Sequence, residues 1–238
     1  MSTVAAIVVA THGGGALAEA LRSVSWADQR LVLDPTGQLD GRRLGAGVVT
    51  GGRLELREDI SRVLLLGERE RLAEDAAATV RAAAAGPVEA WRMRRELCIL
   101  GLRLVLPGAP VRLAPRGAEL AITPGLDLAL ASEALRARRL PRLKTRLRIE
   151  AAGTLNEAME MLTAEARAMA ALLAATGARA GGARLAWTAA VAAATVLLAR
   201  GERRCGIGRF VAAVLRGYRN VVAWTMLWEQ SHGRVEVR

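Results

Sequence analysis

The sequence predicts an α/β domain followed by a helical appendage, and three observations support this class. First, an apolar run at residues 4–10 is followed by a helix-like stretch and a second apolar run at 31–33, which indicates a strand–helix–strand unit. Second, a third apolar run at 63–66 precedes an alanine-rich helical stretch. Third, the sequence from Thr154 onward has only helical periodicity. We therefore predict an α/β domain over residues 1–150 and a helical appendage over 151–238.

The amino-acid composition indicates which classes of molecule the protein is expected to bind. The 238 residues are 52% hydrophobic, enough for a buried core, and the net charge of +11 favours anionic partners. Nucleic acid is disfavoured because the arginines are spread along the chain and are not clustered with aromatic residues for base stacking. The two cysteines, Cys98 and Cys205, form no zinc-binding spacing and call for no disulfide, which fits the cytoplasm. The first residues lack a basic flank and are interpreted as a strand, not as a signal peptide.

The amino-terminal half gives the clearest local patterns. The run at 4–10 is continuously apolar, as in a strand buried on both faces, and the helix at 16–23 follows it. After the strand at 31–33, the sequence Asp-Pro-Thr-Gly at 34–37 predicts a turn. Residues 41–52 are glycine-rich and predict a loop. The strand at 63–66 ends at Gly67, and residues 70–85 predict a helix that Gly-Pro at 86–87 stops.

The middle of the chain is less regular. Residues 90–105 mix strand-like and helix-like patterns. Prolines and glycines interrupt 107–124, where short strands are expected at 111–113 and 120–122. A further short helix is expected at 126–139.

The appendage opens with a capping box, in which Thr154 and Glu157 satisfy each other's backbone N–H groups. Apolar residues then recur on one helical face, at positions 155, 159, 162, 166, 169 and 173. After a glycine-rich break at 177–182, residues 185–199 are apolar throughout. A membrane-spanning helix needs about 20 such residues, so this run is short for a span. A third helix is expected at 210–228.

Three stretches resemble the family-2 glycosyltransferases that extend bacterial lipopolysaccharide cores. The first is VAAIVVATHGGGALAEALRSVSWADQRLVLDPTGQLDGRR, with its Ser-Val-x-Trp-Ala-Asp segment at 23–28. The second is VLLLGERERL, at the position where the family has a strand ending in Asp-Ala-Asp-Glu. The third is the tail GRFVAAVLRGYRNVVAWTMLWEQ. Together they cover about two thirds of the chain and occur in the family's order.

This resemblance implies a reduced GT-A (nucleotide-diphospho-sugar transferase) sheet and a nucleotide-sugar donor. Asp34, Asp40 and Thr11 match positions that the family uses to bind the nucleotide-sugar. The metal motif is lost, because Gly67 and Arg69 stand where the family has its aspartates. Carboxylates at that spacing hold the Mg²⁺ or Mn²⁺ that neutralises the leaving diphosphate, whereas glycine offers no ligand and arginine repels a cation. Glu68 and Glu70 remain nearby as candidate metal ligands.

Each candidate residue also has a purely structural interpretation. Asp34 precedes a proline and can simply form a turn. Arg69 can neutralise a diphosphate in place of the metal, or can be a solvated residue among neighbouring charges. His12-Gly13-Gly14-Gly15 can present backbone amides to a phosphate. It lacks the established glycine-rich motifs, so an ordinary strand-to-helix turn is the favoured interpretation.

The terminal helices are candidates for contact with a membrane or a partner protein. Trp224 and Trp228 suit a membrane interface, and Arg216 and Arg219 suit acidic headgroups. A helical hairpin packed on protein explains the same residues, and both alternatives stay open.

Two functions follow from the sequence. One is a glycosyltransferase, cytoplasmic and peripheral to the inner membrane, that moves a sugar from a nucleotide-sugar to a lipid-linked saccharide; loss of the metal motif predicts that it is impaired or inactive. The other is a pseudoenzyme that serves as a structural or docking subunit of a larger assembly. Mg²⁺ or Mn²⁺ is expected only if the site is active.

Overall fold

The computed structural model describes residues 2–10, 13–35, 37, 39, 44–50, 54–106, 109–122, 128–130, 140–150, 153–175, 177–178, 182–197, 200–201 and 206–232. The chain forms two compact units, and each unit draws on two stretches of sequence. The first unit contains Met1–Glu96 and Gly108–Glu150. The second contains Leu97–Pro107 and Ala151–Arg238.

Twelve strands and five helices lie in the described residues. The strands are β1 (Thr3–Val9), β2 (Gln29–Asp34), β3 (Gly47–Thr50), β4 (Ile60–Gly67), β5 (Glu70–Leu72), β6 (Trp91–Ile99), β7 (Leu102–Val105), β8 (Val111–Pro115), β9 (Leu120–Ile122), β10 (Leu128–Leu130), β11 (Arg142–Glu150) and β12 (Arg200–Gly201). The helices are α1 (Gly15–Ser23), α2 (Ala76–Ala85), α3 (Leu155–Ala175), α4 (Gly182–Leu197) and α5 (Gly206–His232).

The first unit is built on a mixed sheet in which β1 is central. β1 pairs in parallel with β2 on one side and with β4 on the other, and β2 pairs in parallel with β3. β8 runs antiparallel to β4 and to β6, which gives the order β6-β8-β4-β1-β2-β3. This arrangement, with the helices of the appendage, confirms the predicted α/β class. A reduced GT-A sheet stays a prediction.

The burial of β1 explains why its sequence is continuously apolar. Val4, Ala6 and Val8 belong to a cluster that includes α1 and α2, whereas Ile7 and Val9 belong to a second cluster on the other face of the sheet. Successive side chains of a strand point to opposite faces, so both faces of β1 must be apolar. The predicted strands at 4–10, 31–33 and 63–66 are confirmed as β1, β2 and β4.

Two predictions in this unit are wrong. Residues 70–85 do not form one helix, because Glu70–Leu72 is β5, which pairs antiparallel with β11, and the helix starts only at Ala76. The pairing of β5 with a strand some 75 residues later in the sequence overrides local helix propensity. The glycine-rich stretch at 41–52 is not wholly a loop, since β3 lies within it and extends the parallel sheet.

The middle of the chain is resolved into short strands. Residues 90–105 contain β6 and β7, joined by a turn in which Leu100 has φ 51° and Gly101 has φ 75°. The strands predicted at 111–113 and 120–122 are confirmed as β8 and β9. The prediction of a helix at 126–139 is wrong at residues 128–130, which form β10 and pair antiparallel with β9. Most of that stretch falls outside the described residues.

The second unit contains the three long helices and the strand pair β7–β12. The predicted capping box is present: the Glu157 N–H donates to Thr154 Oγ1 at 3.3 Å, and the Thr154 N–H donates to Glu157 Oε2 at 3.2 Å. Residues of α3 and α5 form its core; they are Ala166, Met169, Leu173, Ala223, Trp224 and Leu227. The expected apolar face of α3 is therefore correct along most of its length, but Leu155 at its start is exposed.

Among the described residues, no helix combines the length and the hydropathy that crossing a bilayer requires.

Candidate functional site

The carboxyl edge of the parallel strands is the place in the first unit where a ligand is expected. Val9, the last residue of β1, is paired with Leu33 and with Gly67, so β1, β2 and β4 end at one edge of the sheet. The chain builds outward from β1 through β2 to β3, and β4 then pairs on the opposite side of β1. In open α/β sheets, ligands bind outside the carboxyl ends of the strands where the strand order reverses in this way.

The loop between β1 and α1 lies at this edge. Gly13 and Gly14 have φ values of 68° and 80°, which favour glycine, and α1 starts at Gly15 without a side-chain cap. A Cβ on Gly13 would come within 3.0 Å of Leu39 Cδ2, so this loop approaches the loop that follows β2. Thr11 and His12, which were candidates here, lie outside the described residues.

Asp34 lies at the end of β2 and is fully buried. Its Oδ2 accepts a hydrogen bond of 2.7 Å from the Leu39 N–H, which closes the turn after the strand. This contact matches the structural interpretation of an aspartate before a proline. Contact of Asp34 with a nucleoside stays a prediction. Asp40, its proposed companion, lies outside the described residues.

A buried ion pair occupies the place where the family resemblance puts a metal. Beyond Gly67, the chain turns through Glu68 and Arg69 into β5. The Glu70 side chain points back toward this turn, and its Oε2 accepts a hydrogen bond of 2.8 Å from the Gly67 N–H. Its other oxygen, Oε1, accepts from Arg112 Nη2 at 2.7 Å. Both side chains are almost completely removed from solvent, so the pair is held in low dielectric, where it is electrostatically strong.

The described residues at the tip of β4 do not fit a divalent cation. Gly67 has no side chain, Arg69 carries a positive charge, and each oxygen of Glu70 already accepts a hydrogen bond. A cation held by Glu70 would also meet the guanidinium of Arg112 at hydrogen-bonding range from the same carboxylate. Within the described part of the chain, no group of three acidic, histidine or cysteine side chains is placed to hold a metal.

Arg69 is positioned by its backbone. Its carbonyl accepts from the Glu150 N–H at 3.2 Å, which continues the pairing of β5 with β11 and fixes the turn. The side chains of Arg69 and Glu68 are half-buried at the tip of β4. The structure therefore brings Arg69, Glu68 and Glu70 together in one turn, at the same edge as Asp34.

Arg112 is the residue that sequence reasoning missed. It lies in β8 between Val111 and Leu113, and it is the largest fully buried side chain among the described residues. An arginine inside a short apolar strand is usually assigned to the solvent face. Its partner is 42 positions away, so only the pairing of β8 with β4, next to the turn that carries Glu70, reveals the contact.

The C-terminal candidates are placed differently from one another. Trp224 is buried in the core of the helical unit, so its indole is not on the surface that would meet a membrane. Arg219 Nη1 lies 3.2 Å from Glu165 Oε2 and links α5 to α3. Arg216 is half-buried, and Trp228 is half exposed. Of the four, Trp228 presents the most side chain to a partner.

No protein-family model and no curated protein matches the sequence. Among solved structures, the chain is similar to 4-diphosphocytidyl-2C-methyl-D-erythritol synthase from Anaerococcus prevotii, with 12% sequence identity and a TM-score of 0.33. The match covers 69% of this chain and 95% of the synthase. The TM-score is too low for this likeness to assign a function.

Proposed function

We propose that this chain is a homologue of the family-2 glycosyltransferases of lipopolysaccharide-core assembly that has lost metal-dependent transfer. It would serve as a non-catalytic subunit that keeps the family's fold. The observation that carries the proposal is the Gly67–Glu70–Arg112 arrangement at the tip of β4.

The chemistry behind the proposal concerns the leaving group. Sugar transfer from a nucleotide donor leaves a nucleoside diphosphate, whose growing negative charge must be stabilised as the glycosidic bond to the donor breaks. Two carboxylates and a divalent cation normally provide this in the family that the sequence resembles. Here the nearest buried cation, Arg112, already has a carboxylate partner in Glu70, so the pair is close to neutral and offers little net charge to a diphosphate.

A second candidate function is metal-independent glycosyl transfer. Arg69 favours it, because this arginine stands in the same turn and its side chain is not fully buried. A guanidinium can bind phosphate oxygens through paired hydrogen bonds and so replace part of the role of a metal. In this alternative, Asp34 would bind the nucleoside and Arg69 the diphosphate.

Binding calorimetry separates the two candidates. The full chain is titrated with uridine, guanosine and cytidine nucleotide-sugars, each with and without Mn²⁺. The non-catalytic proposal expects no nucleotide-sugar binding, with or without Mn²⁺, and co-purification of a stoichiometric protein partner. Tight binding that requires Mn²⁺ would overturn it.

The arginine variant tests the metal-independent alternative. Binding without Mn²⁺ that disappears in Arg69→Gln would support transfer by Arg69. Arg146→Gln is the matched control, because Arg146 is an exposed arginine of the neighbouring strand β11. Equal loss of binding in both variants would indicate general charge attraction instead of a defined site.

We also propose that the protein is cytoplasmic and works at the inner membrane surface, where a lipid-linked saccharide is assembled. Support comes from the excess of arginine over acidic residues in the chain and from the exposed Trp228 on α5. Replacing Trp228 by Ser should reduce co-sedimentation with vesicles. Unchanged co-sedimentation would show that Trp228 does not contact the membrane.

A further inference from the structure

The exposed side chains of α4 that the structure describes are all apolar. Every α4 residue whose side chain is described and exposed is an alanine or one of three larger apolar residues: Trp187, Val191 and Leu197. These positions recur at helical spacing, so they form one stripe along the helix. Trp187 is 70% exposed, the highest value among the large hydrophobic residues described.

The start of α5 also exposes large apolar residues. Phe210 and Val214, one helical turn apart, are both more than half exposed. The two helices pack against each other, since Asn220 Nδ2 donates to the Thr188 carbonyl at 3.0 Å. A Cβ on Gly217 would lie 3.4 Å from the Ala189 carbonyl oxygen, which reflects their close approach. We call Trp187, Val191, Leu197, Phe210 and Val214, with the exposed alanines of α4, the hairpin surface.

Charge in this part of the sequence has one dominant sign. Residues 182–232 contain seven arginines, two glutamates and no aspartate or lysine. Arg184 and Arg200 stand near the two ends of α4, and no acidic residue occurs between residues 182 and 201. An apolar stripe between arginine-bearing ends is the pattern of a helix that lies in the interface of an anionic bilayer.

We propose that the hairpin surface docks on the headgroup region of an anionic phospholipid bilayer, with α4 lying in the plane of the membrane. A helix of this length is about 24 Å long, shorter than the roughly 30 Å of hydrocarbon that a spanning helix crosses. Trp187 and Phe210 enter the boundary between headgroups and acyl chains. The excess of arginine over acidic residues in this part of the sequence favours acidic headgroups.

Charge also favours lipid over a second copy of this chain. Two hairpin surfaces brought together would place arginine-rich segments of equal sign opposite each other, which costs free energy unless acidic residues intervene. A specific protein partner is less well supported, because the described exposed residues of α4 include no hydrogen-bonding side chain except the Trp187 indole. Lipid requires only apolar burial and attraction of opposite charge.

This inference deepens the membrane association proposed above, and it is independent of the sugar-nucleotide site in the first unit. Vesicle binding and nucleotide-sugar calorimetry are separate measurements. Failure of one therefore leaves the other interpretable.

Co-sedimentation of the full chain tests the surface, with vesicles of phosphatidylcholine alone and of phosphatidylcholine mixed with phosphatidylglycerol. The double variant Trp187→Ser, Leu197→Ser should lower the partition coefficient on the anionic vesicles by roughly tenfold or more. Leu155→Ser is the matched control, since Leu155 is 54% exposed, comparable to 46% for Leu197, but lies on α3. The control should sediment like the wild type.

Added salt should weaken binding of the wild type, because attraction between exposed charges is screened. The proposal is overturned if the wild type fails to sediment with anionic vesicles, if it binds neutral vesicles equally well, or if the double variant binds as tightly as Leu155→Ser. It is also overturned if gel filtration gives a dimer for the wild type and a monomer for the double variant, since a second copy would then cover the surface.

Discussion

Arg112 on β8 donates a hydrogen bond of 2.7 Å to Glu70 on β5, and both side chains are buried. The Glu70 carboxylate also accepts a hydrogen bond from the Gly67 N–H. One carboxylate therefore links the end of β4 to β8, the strand that pairs antiparallel with β4. The arrangement fixes the turn at the edge of the sheet. It also leaves each oxygen of the Glu70 carboxylate engaged in a hydrogen bond.

The first prediction concerns the stability of this pair. Arg112→Met leaves the Glu70 carboxylate buried without its cation, and the free energy of unfolding should fall by about 3–5 kcal/mol. Urea denaturation followed by circular dichroism measures the change. Adding Glu70→Leu to Arg112→Met should recover a large part of the loss, because no unpaired charge then remains. A single variant within about 1 kcal/mol of the wild type would contradict the prediction, given that loss of a buried partner costs more than this.

A second prediction restores carboxylates at the tip of β4. Gly67→Asp combined with Arg69→Asp should create Mn²⁺ binding that the wild type lacks, because paired carboxylates supply hard oxygen ligands. Space permits the change: a Cβ on Gly67 would have Glu70 as its nearest neighbour at 3.7 Å, an ordinary contact. Calorimetry with Mn²⁺ is the measurement.

Gly67→Asn with Arg69→Gln is the control for that experiment, since it has similar volume without the added charge. It should bind no Mn²⁺. If the aspartate variant also fails to bind the ion while remaining folded, the strand tip is not arranged for a metal even with ligands present.

The third prediction tests the capping box of α3. Thr154→Ala removes the hydroxyl that accepts from the Glu157 N–H, and the free energy of unfolding should fall by about 1 kcal/mol. Thr225→Ala is the comparison, because the Thr225 hydroxyl donates its hydrogen bond to the Val221 carbonyl inside α5 and caps no helix end. That change should stay within about 0.5 kcal/mol of the wild type. Equal effects of the two changes would argue against the cap.

A fourth prediction concerns pH. The Arg57 guanidinium donates two hydrogen bonds to the Asp59 carboxylate, at 3.0 and 2.6 Å, and this holds the pKa of Asp59 below its usual value. A carboxylate with a lowered pKa adds stability above its unfolded pKa and loses that contribution as the pH falls through its folded pKa. The pair is exposed, so we expect a visible titration shift and little effect on unfolding.

Carboxyl chemical shifts of Asp59 followed by NMR between neutral and acidic pH provide the test. Arg57→Gln should return the Asp59 titration midpoint upward to its ordinary range, and Arg146→Gln should leave it unchanged. A midpoint that does not move in Arg57→Gln would show that the arginine is not the cause.

The strands at the centre of the sheet could be predicted from sequence because burial on both faces imposes an unmistakable pattern. Val4 to Val9 and Val63 to Leu66 are apolar without interruption, and both runs end at small or polar turn residues. The short edge strands lack that constraint. β3 is only partly buried and follows a glycine-rich stretch, so nothing local separates it from a loop.

The candidate site was less accessible to prediction. The loss of metal ligands at Gly67 and Arg69 can be read directly from the residues. The role of Glu70 cannot be read from the sequence in this way. Local propensity favours a helix through 70–85, and Glu70 lies in a strand only because β5 pairs with β11. Arg112 gives no local signal either, since its function depends on a partner that the fold brings near.

The second unit is discontinuous in sequence, and this limits how the chain can be divided. β7 comes from the middle of the chain, yet it pairs with β12, which lies beyond α4. A stop codon after residue 150 would therefore release a fragment in which β7 keeps its pairing with β6 but loses its pairing with β12. Leu104, fully buried in the intact chain, lies in that strand. Dividing the sequence at one position therefore cannot give two polypeptides that each contain one complete unit.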